Sequence, residues 1–291
     1  MQDACIFVDF FVILRRKTIK TMRIGVFDSG YGGLTVLEKI RQRLPEYDYI
    51  YLGDNARAPY GTRSFETIFR YTLESVRELF ARGCPLVILA CNTASAKALR
   101  SIQQDVLPHE FPDRRVLGIV RPTAEEIGKF SKTGHIGIFA TAGTVSSNSY
   151  GIEIGHFFPE LHVTQHACPM WVPLVECGEA GTEGARYFVK RDVEALLAED
   201  PEIDTVLLAC THYPLLEKEI RAALPTGVRL VFQGGIVADK TVDYLKRHPE
   251  MDCRLTRGGT ASFLTSDTAK FFEKGAFLFG MHDISAKSLT F

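Results

Sequence analysis

A cysteine closes each of two apolar runs in this chain, Val87-Ile88-Leu89-Ala90-Cys91-Asn92-Thr93 and Val206-Leu207-Leu208-Ala209-Cys210-Thr211-His212. Each run has the length and β-branched character of a strand buried on both faces, and each thiol falls where the strand gives way to polar residues and then a helical pattern. Ligands of open α/β sheets bind outside the carboxyl ends of the strands, so both thiols are expected at a site. If two halves of the molecule face each other, a planar carbanion between the thiols can lose its proton on one face and regain it on the other. A single base would return the proton to the face it left. Opposed thiols therefore point to inversion of a stereocentre, a racemase or epimerase. A lone free cysteine is more commonly a small core hydrophobe, but the duplicated position and the polar flanks argue against that here.

The elements that must position these thiols also repeat. Ile24-Gly25-Val26-Phe27-Asp28-Ser29-Gly30 has a counterpart in Ile136-Gly137-Ile138-Phe139-Ala140-Thr141-Ala142-Gly143-Thr144, so the order first strand, then cysteine strand, occurs twice. Around them, helices are expected over residues 34–43, 64–82, 96–104 (stopped before Pro108), 186–198 and 236–247, and strands over 47–52, 116–120, 228–232 and 261–265. A loop shaped by proline and glycine over 56–61 is placed to cover a site. This alternation is α/β: two pseudo-symmetric domains with mainly parallel sheets and the active site between them. Residues 1–21 are expected to be an extension, 22–117 plus 229–291 the first domain and 118–228 the second. The 116–120 strand carries the chain across and the 228–232 strand brings it back.

With 291 residues, 46% of them hydrophobic, and a net charge of −1, the chain can bury two real cores and is not a basic nucleic-acid binder. Its seven cysteines, an odd number spread along a long chain, read as reduced cytoplasmic thiols rather than a disulfide framework. Cys210 and His212 lack a complementary ligand cluster nearby in sequence, so no metal is expected. Gly30, Gly32 and Gly33 follow a strand, yet Thr35 stands where a dinucleotide loop needs its final glycine, so no nucleotide cofactor is expected. The apolar stretch Cys5–Leu14 is too short and interrupted to span a bilayer, and its basic residues follow it instead of preceding it as in a secretory signal.

At the cysteine blocks the chain resembles the glutamate racemases of the cofactor-independent aspartate/glutamate racemase superfamily. The match runs from about Met22 to the C-terminus. It includes Val26-Phe27-Asp28-Ser29-Gly30, Gly53-Asp54-Asn55-Ala56-Arg57-Ala58-Pro59-Tyr60-Gly61, Ala90-Cys91-Asn92-Thr93-Ala94-Ser95, Ala167-Cys168-Pro169 with Pro173-Leu174-Val175-Glu176, and Ala209-Cys210-Thr211-His212-Tyr213-Pro214. The resemblance implies that Cys91 acts on the D face of glutamate and Cys210 on the L face, that Asp28 lies near the first thiol, and that Glu176 and His212 lie near the second. It further implies substrate contacts from Asp28, Ser29, Pro59, Tyr60, Gly61, Asn92, Thr93, Thr141, Thr144, Thr211 and His212, with no cofactor, a homodimer, and D-glutamate made for peptidoglycan.

Hydroxyls, an amide and backbone N–H groups suit a zwitterionic dicarboxylate. Without a pyridoxal ring, such groups must also hold the charge that develops when a weakly acidic Cα proton leaves. The chain departs from the resemblance at Gln233, where an Asp is usual. Two other readings stay open: a racemase of a related substrate such as aspartate, and a binding or regulatory homologue that has lost catalysis.

Overall fold

The computed structural model describes residues 22–282 and 284–291, so the extension expected over residues 1–21 lies outside the described residues. The buried runs become two all-parallel sheets. In the first, of six strands, β1 (Ile24–Asp28) lies between β2 (Tyr49–Gly53) and β3 (Leu86–Leu89), with β4 (Arg115–Gly118) beyond β3 and β9 (Ala261–Thr265) and β10 (Ala286–Ser288) beyond β2. In the second, of four strands, β5 (His135–Ala140) lies between β6 (His162–Ala167) and β7 (Thr205–Ala209), with β8 (Arg229–Phe232) beyond β7. The order β2-β1-β3-β4 is thus repeated as β6-β5-β7-β8. Cys91 follows β3 and Cys210 follows β7, each strand adjoining the central one, with Phe27 level with Leu89 and Ala140 level with Ala209.

This repetition corrects the expectation for residues 228–232. They do not rejoin the first sheet: Val206, Leu207 and Leu208 of β7 pair with Leu230, Val231 and Phe232. The reason is the duplication itself. A cysteine strand buried on both faces leaves one edge of N–H and C=O groups to satisfy; β4 does this for β3, and β8 does it for β7. The 116–120 strand also ends early, at Gly118, and the crossing is made by α4 (Val120–Ile127).

The helices follow from their caps and apolar faces. Ser64 accepts the Thr67 N–H (3.3 Å) at the start of α2 (Phe65–Ala81), and Thr182 accepts the Ala185 N–H (3.2 Å) at the start of α8 (Glu183–Glu199). Between α2 and α8 lie α3 (Asn92–Lys97), α5 (Ala142–Ser147), α6 (Ser149–Phe157) and α7 (Trp171–Glu176), while α1 (Gly33–Arg43) opens the chain and α9 (Gln233–Arg247) follows β8. The helix expected to stop before Pro108 instead runs on over residues 99–110, through a wide π turn at Ile102–Val106 that starts a new helical register at Leu107. There proline sits in a first turn, whose N–H groups have no intrahelical partner to lose. Helix α1 packs on α9, burying Leu37, Ile40, Val237 and Leu245, and so ties the first sheet to the segment that leaves the second. Among the described residues no helix is long and apolar enough to cross a membrane.

Candidate active site

The carboxyl ends of β1 and β3 form one wall of the site. Asp28 ends β1 with no exposed surface, and its Oδ2 accepts the Gly30 N–H at 3.0 Å. Burial raises its pKa, an effect partly offset by the positive charge of His212. Cys91 caps α3: its sulfur accepts the Ala94 N–H at 3.5 Å while its S–H faces Ser29 Oγ at 3.4 Å. Burial, and after it the charge of Asp28, push the Cys91 thiol up to about 12. At neutral pH Cys91 is therefore a thiol, an acid rather than a base.

The opposite wall comes from β7 and α7. Cys210 is 7% exposed, and its sulfur lies 3.9 Å from His212 Nδ1. On the far side of the ring, Nε2 faces Glu176 Oε1 at 2.9 Å. Burial pulls the His212 pKa down, but the hydrogen bonds to Cys210 and Glu176 outweigh it and hold the value at about 10. His212 is thus an imidazolium at neutral pH, with one N–H to Glu176 and the other directed at sulfur.

The two walls touch. Thr211 Oγ1 lies 3.5 Å from Asp28 Oδ1, and the Thr35 hydroxyl reaches the Thr211 carbonyl at 3.4 Å. A Cβ on Gly32 would stand 2.5 Å from His212 Nδ1 and closer still to Thr211 Oγ1, so glycine is what lets the halves meet here. On the other flank Gly143 N–H donates to the Gly61 carbonyl at 2.8 Å. Beside it the Thr93, Thr141 and Thr144 hydroxyls form a triangle of 2.9, 3.4 and 3.1 Å sides. The 56–61 loop is fixed from within. Arg57 pairs with Asp54 (2.7 Å) and with Glu74, the Tyr60 hydroxyl donates to Asp54, and the Ala58–Pro59 bond is cis.

Asp28, Ser29, Cys91 and Thr93 on one side thus converge with Thr141, Thr144, Glu176, Cys210, Thr211 and His212 on the other, and Gly61 bridges them. Tyr60 is buried with its hydroxyl engaged by Asp54, and exposed Pro59 shapes the loop. Asn92 is in place but tightly held. Its Nδ2 donates to Gln233 Oε1 (2.8 Å), Gln233 Nε2 donates to the Tyr150 hydroxyl and to Thr123 (3.0 Å), and the Tyr150 hydroxyl returns to Asn92 Oδ1 (2.6 Å).

Sequence reasoning missed Tyr150 and the supporting role of Gln233. Gln233 stood out only as a departure from the resemblance, and its bond to Asn92 spans 141 residues. Asn55 was also not singled out. Its Nδ2 is buried without a partner among the described residues, 3.8 Å from where a Cβ on Gly30 would stand.

Residues 24–238 match the family model described as Asp/Glu/Hydantoin racemase. A glutamate racemase of Ruegeria sp. (strain TM1040) is 40% identical over 258 residues, covering 85% of this chain and 93% of that protein. Among solved structures, a glutamate racemase isoform from Bacillus anthracis superposes with a TM-score of 0.83 at 33% identity, over 93% of this chain and 98% of the other. The glutamate racemase of Francisella tularensis, solved in complex with D-glutamate, gives 0.80 at 26% identity over the same shares. With its duplicated cysteine strands, the chain belongs to the Asp/Glu/Hydantoin racemase family and is an amino-acid racemase, an isomerase.

Proposed function

We propose that the protein interconverts L- and D-glutamate by a cofactor-independent, two-base mechanism, supplying D-glutamate for peptidoglycan synthesis in the cytoplasm. The observation that carries this reading is the placement of Cys91 and Cys210 after equivalent strands of the two sheets, one beside Asp28 and the other beside the His212–Glu176 pair.

Starting from L-glutamate, Cys210 takes the Cα proton as a thiolate, the carbanion flattens toward an enediolate, and the Cys91 S–H delivers its proton to the opposite face. The enzyme is left with a protonated Cys210 and an anionic Cys91, the state that accepts D-glutamate. Cys91, held as a thiol by burial and by the charge of Asp28, starts on the donating side. Asp28, buried and raised, is the nearby carboxyl that can take up or return the Cys91 proton. The charge developing on the substrate carboxylate falls to hydroxyl and N–H donors at the ends of β3 and β5, among them Thr93 and Thr141.

The test is racemisation of L- and D-glutamate and of L-aspartate by purified protein without added cofactor, followed by polarimetry. Loss of optical rotation from both glutamate enantiomers, with solvent deuterium entering Cα, is expected. Turnover of aspartate in preference to glutamate, or of neither, would refute the assignment.

A further inference from the structure

At the opposite end of the second sheet from the thiols, three segments bring together two imidazoles and a carboxylate. His135 opens β5, His162 opens β6, and the parallel register sets them side by side, their rings 5.1 Å apart. Asp200, at the end of α8, lies beneath them with its side chain 5% exposed, and its Oδ2 is 2.9 Å from Nδ1 of each histidine. The three ligand atoms lie within 4.8 Å of one another.

These contacts form an ion-pair cluster whose donor atoms also suit a metal ligand set. Asp200 Oδ1 accepts the Glu202 N–H at 3.0 Å and lies 3.1 Å from His135 Nδ1, while Oδ2 also accepts the Thr164 hydroxyl at 3.4 Å. On its outer side His135 Nε2 meets Glu202 Oε2 at 3.0 Å, the carboxylate–histidine arrangement that fixes a metal-bound imidazole. His135 therefore has carboxylate oxygens at both nitrogens, which its protonated form meets with two N–H groups and its neutral form meets with one N–H and a cation on the other nitrogen. Among the described residues neither Asp200 nor Glu202 has a Lys or Arg within ion-pair distance, and Asp204 adds a further negative charge nearby. The comparable group His166, Cys168 and Asp192 differs in this respect, because Arg191 already supplies a cation to Asp192 at 2.7 Å.

We propose that His135, His162 and Asp200 form a binding site for a divalent cation of the zinc class, coordinated through the two Nδ1 atoms and Asp200 Oδ2 and completed by water. Ligand atoms of a tetrahedral zinc centre stand about 3.3 Å apart, so the observed 2.9 Å spacings need only a small expansion. The site clips the starts of β5 and β6 to the end of α8. Its role is structural, since the cluster sits at the amino ends of strands whose carboxyl ends carry the racemase site.

The test uses the full chain, stripped with a chelator and dialysed, then titrated with Co²⁺ and separately melted with Zn²⁺ or with chelator. One equivalent of Co²⁺ should bind with ligand-field absorption and without the sulfur-to-cobalt charge-transfer band that the cysteines would give. Zn²⁺ should displace it and raise the melting temperature by a few degrees. His162→Asn, at an exposed position, should abolish both effects while leaving racemisation and the metal-free melting temperature unchanged. Glu202→Gln should weaken binding about tenfold. Co²⁺ binding that shows the sulfur band and persists in His162→Asn, or a wild-type melting temperature indifferent to Zn²⁺, would overturn the proposal.

Discussion

At the scale of single residues the two thiols are unlike, although their strands are equivalent. Cys91 faces a buried carboxylate and a serine, whereas Cys210 faces an imidazolium braced by Glu176. Cys91→Ser and Cys210→Ser should each lower racemisation by at least about 10²–10⁴-fold, because a hydroxyl is too weak a base at neutral pH. Cooperative melting should be retained, and each variant should exchange the Cα proton of only one enantiomer with solvent. Racemisation at the wild-type rate by either variant would end the two-base account.

His212 gives a second residue-scale expectation. Its folded pKa, about 10, lies above the ordinary histidine value, so its contribution to stability is complete below that ordinary value and disappears as pH rises through about 10. The stability gap between wild type and His212→Asn, measured by denaturant melts, should therefore narrow from pH 6 to pH 10. In Glu176→Gln the imidazole resonances followed by NMR should titrate at lower pH than in wild type.

At the scale of elements, the sequence was most legible where burial is complete. β3 and β7 are uninterrupted apolar runs because both faces are covered, and their duplication exposed the thiols and the α/β class. The placement of β8 was not read, although the same duplication implies it, because a four-residue strand carries no label for the sheet it joins. The continuation of helix past Pro108 depends on a π turn, for which Ile102–Val106 offers no local signal.

The ring of Asn92, Gln233 and Tyr150 is invisible for another reason: its members come from three helices and meet only after both sheets have formed. Gln233→Leu should leave Asn92 and Tyr150 each short of a partner, at a cost of about 1–3 kcal/mol. At about 2–4 °C per kcal/mol for a chain of this size, the melting temperature should fall visibly. If the ring also aims the Asn92 amide at substrate, KM should rise; an unchanged KM would confine Gln233 to stability. Gly32→Ala tests the meeting of α1 with the Thr211–His212 turn. The added methyl overlaps Thr211 and His212, so activity should fall while the two sheets, which it does not touch, keep their far-ultraviolet dichroism.

For the whole molecule, the site belongs to neither half alone. Ligand that bridges the two walls stabilises both sheets by RT ln(1 + [L]/Kd), about 2.7 kcal/mol at a hundredfold excess over Kd. In the wild type L- and D-glutamate should raise the melting temperature equally, since each becomes the same mixture during the scan. In Cys91→Ser the two should differ, and equal shifts there would show that both enantiomers rest on the same contacts.

One last property follows from the hydroxyls of Thr93, Thr141 and Thr144, which bridge the halves and lie within hydrogen-bond distance of one another. Each has a single hydrogen to give, so an arriving carboxylate must take hydrogens already in use; binding exchanges bonds rather than adding them, and the net gain is small. On the proposed function, these three hydroxyls would then add little to the affinity for either mirror form, leaving the direction of net flow to whatever removes the product.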